Sequence, residues 1–408
     1  MTSQPIVLDP TGSDIQAEID RLRAQGPATP VELPGGIRAW SITDTALLER
    51  LLVSPQVSKD PRQHWPAFAG GEITPDWSLY LWVAVNNMFT AYGADHRRLR
   101  RLVAPAFTAR RTDALRPRIE EIAAEILDEL AATPAGTVVD LRDEFCYQVP
   151  VRVIFELMGV PAELGTGMRA CFDAAFDTTI TPEDAQANYL ELYRFLGELV
   201  AYKRATPGDD MTSLLIASRD DDGEGAPLSE PELIDTLLLV ISAGHETTIN
   251  LLDQTITALL THPDELAKVT AGKVSWTDAI EEALRFESAV VHVPLRYAVT
   301  EIEVAPGVVI APGDPILVCY AATGRDPRTH PGDAAVFDVS RADKAHMAFG
   351  YGVHHCLGAP LARAEAGIAL PALFARFPRL RLAVPAKELE PLPSFISNGH
   401  RALPVHLT

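Results

Sequence analysis

The longest apolar pattern in the chain starts just after Ser229 and holds until His262 and Pro263 interrupt it. A helix of about 30 residues spans roughly 45 Å, and one that is apolar on nearly all sides must run through the interior of a globule. Ser229 and Glu232 stand at the spacing of a capping box, with Pro231 tolerated in the first turn. Shorter amphipathic stretches flank it. Residues 116–131 place Ile119, Ile122, Ala123, Ile126, Leu127 and Leu130 on one stripe, and 45–52, 145–158, 185–204, 278–286 and 357–374 read as further helices. Pro371 falls inside the last of these and predicts a kink. Period-two patterns are few: 31–33 and 37–43 form a hairpin around Pro34, Gly35 and Gly36, and 296–323 gives two or three strands. The expectation is a mainly α fold with a small β region, a single domain over residues 1–408 around a long central helix.

Three stretches break these patterns. In the middle of the long helix stand Ala243, Gly244, His245, Glu246, Thr247 and Thr248. A helical Gly costs about 1 kcal/mol relative to Ala, and a buried carboxylate without a partner is costlier still or takes up a proton. Either Thr247 bonds back to the Ala243 carbonyl with Glu246 facing a watery channel, or the break marks function. Residues 61–92 are rich in aromatics, including Trp65, Phe68, Trp82 and Phe89, interrupted by Pro66, Gly70, Gly71 and Pro75. They read as a loop packed by its own rings or as a cap over a ligand. Residues 96–111 carry six arginines, with His96 and Arg100 four apart and hence neighbours on one helical face.

That arginine run matters because the chain is acidic, with a formal net charge of −20 over 408 residues. Such a charge argues against nucleic acid and anionic membranes as general partners and makes a local basic patch a site for an anion or an acidic protein. The N-terminal residues lack the pattern of a signal peptide and no apolar window approaches a membrane span, so a cytoplasmic protein is expected, as a monomer. Cys146, Cys171 and Cys319 lie at unrelated spacings and read as buried free thiols. Residues 219–227, rich in Asp and Gly, read as a solvated loop.

The fourth cysteine is different. Phe349-Gly350-Tyr351-Gly352-Val353-His354-His355-Cys356-Leu357-Gly358 presents a thiol in a tight glycine loop where a helix begins, so first-turn N–H groups and the helix dipole favour its anion. A plain buried cysteine is one reading. Zinc on His354, His355 and Cys356 is another, though adjacent residues rarely all reach one tetrahedral ion. The stretch matches, at every fixed position, the haem-binding loop Phe-Gly-x-Gly-x-His-x-Cys-x-Gly of the cytochrome P-450 superfamily, and with its other motifs the chain resembles that family over most of its length. The likeness is to the soluble bacterial, actinomycete type.

The resemblance implies haem b with Cys356 as axial ligand of its iron, within a loop that includes Phe349 and Gly350. It implies propionate contacts from His96, Arg100, Arg296 and His354, and a groove in which Gly244 opens space beside the iron. There Thr247 is expected to hold a water or the oxygen under reaction, and Glu246 to relay protons. The substrate pocket is expected from Trp65, Phe68, Val83, Phe89, Phe176, Ala243, Val290, Val291, Val293, Phe395 and Ile396. No charged anchor stands out among these, which favours a neutral ligand. Glu282, Arg285 and Arg325 are the expected scaffold behind the haem loop, with Gly324 where the family often has Asn. The implied activity is a monooxygenase that inserts one atom of O₂ into a C–H bond of an apolar small molecule: a steroid, macrolide or polyketide, fatty acyl chain or other secondary metabolite. Electrons would come from NAD(P)H through a ferredoxin reductase and a ferredoxin docked near residues 97–111. Oxidative coupling or a peroxide-driven reaction on the same haem is the rival, and a non-catalytic haem sensor a further one that the Glu246–Thr247 pair speaks against.

Overall fold

The computed structural model describes residues 4–218 and 226–408, so most of the loop expected at 219–227 lies outside the described residues. The principal helices are α1 (Gly93–Val103), α2 (Ala109–Ala131), α3 (Gln148–Met158), α4 (Ala162–Phe176), α5 (Pro182–Ala205), α6 (Glu230–Thr261), α7 (Trp276–Phe286) and α8 (Ala359–Arg376). The central helix predicted from the apolar run is α6. Its capping box forms as expected: the Ser229 hydroxyl accepts from the Glu232 N–H, and the Glu232 carboxylate accepts from the Ser229 N–H at 2.8 Å. Among the described residues no helix is long and apolar enough to cross a membrane.

α6 packs against α3, α5, α7 and α8, and two apolar clusters share it. Its C-terminal half, through Leu252, Ile256 and Leu259, meets α2, α3, α7 and α8, whereas its N-terminal half, through Leu233, Leu237 and Ile241, meets α4 and α5. α8 continues unbroken past Pro371 to Arg376, so the proline removes a hydrogen bond without ending the helix.

The β region has a six-stranded sheet in the order Ile6–Val7, Ala28–Leu33, Ile37–Ile42, Pro315–Cys319, His292–Ala298, Val57–Ser58, with a three-stranded and a two-stranded sheet beside it. The predicted hairpin is its second and third strands, paired antiparallel, with Gly35 at φ +79° in the turn. The strand His292–Ala298 brings Val293 and Arg296 into the interior, and Lys59 directly follows the edge strand Val57–Ser58.

Behind the cysteine loop, Glu282 and Arg285 form a fully buried pair on α7, the arginine Nη2 and Nε donating to the two carboxylate oxygens at 2.7 and 2.8 Å. Arg285 also donates to the carbonyls of Gly324, Ala334 and Val336. The third charged partner is Arg341, whose Nε lies 3.4 Å from Glu282, and not Arg325 as expected. Arg325 instead pairs with Glu287, donates to the Phe286 carbonyl at 2.7 Å and lies over the Phe286 ring. The cause is visible one residue earlier, where a Cβ on Gly324 would overlap the Arg285 carbonyl oxygen. The backbone itself is pressed against α7 there, and the arginine that reaches Glu282 is the one at 341.

Removing one partner of a buried ion pair strands the other, at a cost of about 3–5 kcal/mol. Arg285→Ala is therefore expected to lower stability by that amount in urea denaturation, and Arg325→Ala, at a partly solvated pair, by about 1 kcal/mol. The opposite order would overturn the assignment.

Candidate active site

The cysteine loop is held by its own backbone. Cys356 N–H donates to the Phe349 carbonyl at 2.9 Å, His355 N–H to Gly352 at 3.0 Å and Gly350 N–H to Met347 at 2.8 Å. Gly350 and Gly352 sit at φ +73° and +72°, and a Cβ on Gly352 would lie 2.9 Å from the Leu52 carbonyl oxygen, so glycine is required there by conformation and by space. Cys146, Cys171 and Cys319 are buried, as expected, whereas Cys356 is exposed. That exposure is inward, onto a cavity deep in the protein. Burial accordingly pushes the thiol pKa up, against the pull of the Gly358 and Ala359 N–H groups and of Arg100 and Arg363. The helix N-terminus acts in the predicted direction, but in the protein alone desolvation wins.

The cavity encloses about 300 Å³. Ligand pockets commonly measure about 300–1,000 Å³, so its size suits a small-molecule site. α6 forms one wall through Ala243, Gly244 and Thr247, and the loop bearing Phe349, Gly350 and Cys356 forms another. Of the pocket residues expected from sequence, Phe89, Phe176, Ala243, Val290 and Val293 line this cavity. Trp65, Phe68, Val83, Phe395 and Ile396 do not: they form a separate apolar cluster in which Trp65 stacks on Tyr297 at 5.3 Å. Val291 points away from Val290 and packs with Ile19 and Cys319, its N–H donating to the Ile396 carbonyl at 2.7 Å. Trp82, Val85 and Met88 take the places left open. The backbone of Gly244 faces the cavity, but a Cβ there would lie 2.7 Å from the Ile154 side chain. This glycine makes room for α3 beside α6.

The cations expected to meet propionates do converge on the cavity. Arg100, Arg296 and His354 line it, and the His96 and His354 rings lie 4.2 Å apart. Arg100 donates to the His355 carbonyl at 2.7 Å. Arg296 is 3% exposed, yet its Nε and Nη2 have no partner, nor does His96 Nε2. Burial pushes His96 down to about 4, and burial with the charge of Arg296 holds His354 well below the usual range, so neither ring carries charge at neutral pH.

Two further lining residues escaped the sequence reading. Lys59, 3% exposed, stands over the Phe89 ring with Nζ 3.4 Å from its centroid. Glu365 on α8 is 1% exposed with one oxygen unpartnered, and burial pushes its pKa up to about 8. A glutamate inside the apolar stripe of α8 was the available signal for the second; Lys59 had none.

Glu246 and Thr247, adjacent in sequence, face different spaces. The Thr247 hydroxyl lines the apolar cavity and donates to the Ala243 carbonyl at 2.8 Å. Glu246 opens onto a second, polar cavity of about 320 Å³ that Arg142, Asp143, Arg169 and Asp173 also line. Its carboxylate accepts from Asn250 at 3.0 Å and lies 3.7 Å from Arg142, which binds Asp253 more closely at 2.8 Å. Burial outweighs these partners and pushes Glu246 up to about 7.

A family model described as Cytochrome P450 matches residues 276–394. The 2-hydroxy-5-methyl-1-naphthoate 7-hydroxylase of Streptomyces carzinostaticus is 46% identical over 99% of this chain and 97% of its own. Cytochrome P450 monooxygenase PikC of Streptomyces venezuelae is 38% identical over 99% and 95%. The solved structure of CYP154A1 from Streptomyces coelicolor A3(2) superposes with a TM-score of 0.94 at 58% identity, covering 99% of this chain and 100% of that one.

The folded protein keeps a proton on Glu246 up to about pH 7, whereas the unfolded chain releases it near 4.5. Stability from this group is therefore full at low pH and is lost as pH rises towards 7. Between pH 5.5 and 8 the loss amounts to about 2 kcal/mol. Chemical denaturation of Glu246→Gln is expected to show a pH dependence shallower by that amount, and parallel curves for variant and wild type would contradict the buried position of this carboxyl.

Proposed function

The chain belongs to the cytochrome P450 family, and from that premise we propose that Cys356 is the axial ligand of its haem iron, with His96, Arg100, Arg296 and His354 placed for the propionates. The enzyme is a monooxygenase that carries haem b and draws electrons from NAD(P)H through redox partners. One observation carries the assignment of residues: the Cys356 sulfur opens onto the same cavity as Arg296, a buried cation whose Nε and Nη2 have no partner. Buried donors left unpaired are costly, and carboxylates of a bound group would pair them. The residues present fit haem.

Haem held there supplies what no side chain can, activation of O₂ so that one atom enters a C–H bond and the other leaves as water, with two electrons and two protons consumed. The chain manages water and protons around it. Thr247 already donates its hydroxyl proton to Ala243, so towards the cavity its oxygen is an acceptor and holds a water by that water's own O–H. Glu246, titrating near neutral pH, exchanges protons with the polar cavity behind α6. Handing a proton on requires the carboxyl to turn away from Asn250 and from Arg142, whose 3.7 Å contact holds it loosely.

The apolar lining supports an apolar small-molecule substrate, and the relative named for a naphthoate supports an aromatic one. A small acidic ferredoxin is the proposed electron donor. Arg97, Arg110 and Arg111 are exposed on α1 and α2 for it, whereas Arg98 pairs with Glu232 and drops out of the docking set. We read the chain as one domain over 1–408, monomeric and cytoplasmic.

The test of function is the absorption spectrum of reduced protein with carbon monoxide. A strongly red-shifted Soret band is expected in wild type and absent in Cys356→Ala; the same unshifted band in both proteins would remove Cys356 as ligand. For the donor surface, Arg97→Glu with Arg111→Glu is expected to slow reduction by ferredoxin about tenfold at low salt, with the gap closing as salt rises. Equal rates at low salt would refute that surface.

A further inference from the structure

Lys59 is a buried base that the reading above leaves without an acidic partner. Its contacts hold the ammonium in place without neutralising it: Nζ lies 3.4 Å from the Phe89 centroid and donates to the Pro294 carbonyl at 3.3 Å. Both anchors border the cavity, since Phe89 and Val293 line it, and the edge-on contacts of Trp82 with Phe89 and Phe176 make that side aromatic. No carboxylate of the described residues pairs with Lys59, and burial together with the neighbouring Arg296 drives its pKa well down. A carboxylate within reach would reverse that shift.

Counting charge sharpens the point. Three basic side chains, Lys59, Arg100 and Arg296, line one cavity, whose one lining acid, Glu365, pairs with none of them. The two propionates of one haem answer two of the three. Lysine and arginine are almost never buried without an anion, and this chain has acids in excess that could have supplied one.

We propose that Lys59 is a carboxylate-binding residue of this cavity, placed beside Phe89 to hold the carboxylate of an aromatic acid substrate or, failing that, a haem propionate. The proposal rests on the cavity being the haem and substrate site, and it replaces the expectation of a neutral ligand with that of an anionic one. An aromatic acid would lay its ring among Trp82, Phe89 and Phe176 and its carboxylate on Nζ, which fixes which C–H bonds face the cysteine side.

The test uses the haem-loaded protein, with 2-naphthoate and its uncharged analogue 2-naphthamide as probes, followed by Soret shift and by calorimetry. Wild type is expected to prefer naphthoate at least tenfold, Lys59→Met to lose the preference and Lys59→Arg to retain much of it. If the carboxylate is instead a propionate, the two probes bind alike in every variant, while Lys59→Met gives up haem to an acceptor globin about tenfold faster than Lys59→Arg or wild type. No naphthoate preference in wild type together with unchanged haem release from Lys59→Met overturns the proposal. Should Lys59→Met not fold, Lys59→Gln carries the same comparison, and the wild-type preference stands by itself. Calorimetry keeps the proposal apart from the haem reading, because a protein without haem fails the carbon monoxide spectrum and still reports whether Lys59 selects the acid.

Discussion

Burying a 32-residue helix that carries Glu246, Asn250, Asp253 and Gln254 obliges the rest of the chain to bring partners to those groups. Arg142, from the turn before α3, reaches Asp253 at 2.8 Å and Asn250 at 2.9 Å. His400 closes on the same aspartate at 2.8 Å, and Asn398 meets Gln254 at 2.9 Å. The C-terminal segment is thus fastened to α6 through polar contacts that would be costly if left open. This is why residues near 395 pack inward as core and do not reach the cavity: Phe395 and Ile396 are carried in by neighbours whose destination is α6.

The electrostatics of the cavity follow the opposite rule. Elsewhere this chain pairs its buried charges, as at Glu282 with Arg285 and at Lys203 with Asp210. Around Cys356 it leaves Arg296 and Lys59 without acids and holds two histidines neutral. A fold able to satisfy buried charge in one place and leaving it open in another has reserved that space for a partner that brings its own anions. The raised pKa of Cys356 fits the same view, since a metal replaces the thiol proton on coordination and the cost of the bare anion is never incurred.

What could be read from sequence was what is local. The capping box, the hairpin at Gly35, the glycine loop before Cys356 and the rule-breaking stretch of α6 are encoded within a few residues, and each appears where the pattern put it. Misreadings fall where side-chain direction depends on a distant element. Trp65 and Phe68 were candidates for the cavity because they are aromatic, but the sheet offers Tyr297 to stack on, and it is Trp82, Val85, Met88 and Phe89 from the later part of that stretch that turn inward. Arg341 replaces Arg325 because Gly324 presses its backbone onto Arg285, a contact between segments 39 residues apart. Lys59 was invisible for the same reason: nothing near it in sequence says that Arg296 and Phe89 will surround it.

In the proposed proton relay, the division of Glu246 and Thr247 between two cavities has a chemical use. A reaction that consumes protons inside an apolar space needs them delivered without admitting bulk water, which would weaken substrate binding and divert electrons. α6 is the barrier: towards the cavity it turns the Thr247 hydroxyl, already committed as a donor, while the acid stands on the outer face among Arg142, Arg169 and Asp173. Arg142 is the hinge of this arrangement. Its short bond goes to Asp253, whose pKa is held low through His400 and Arg142 against its burial, so the guanidinium is fixed in place and only leans towards Glu246 at 3.7 Å. A carboxyl tethered that weakly, with a pKa about 7, both takes and gives a proton at neutral pH. Shortening the Arg142–Glu246 contact would lower that pKa and hold the acid as a spectator. Lengthening it would leave a neutral acid reluctant to release its proton, so the loose contact is the one that suits a relay.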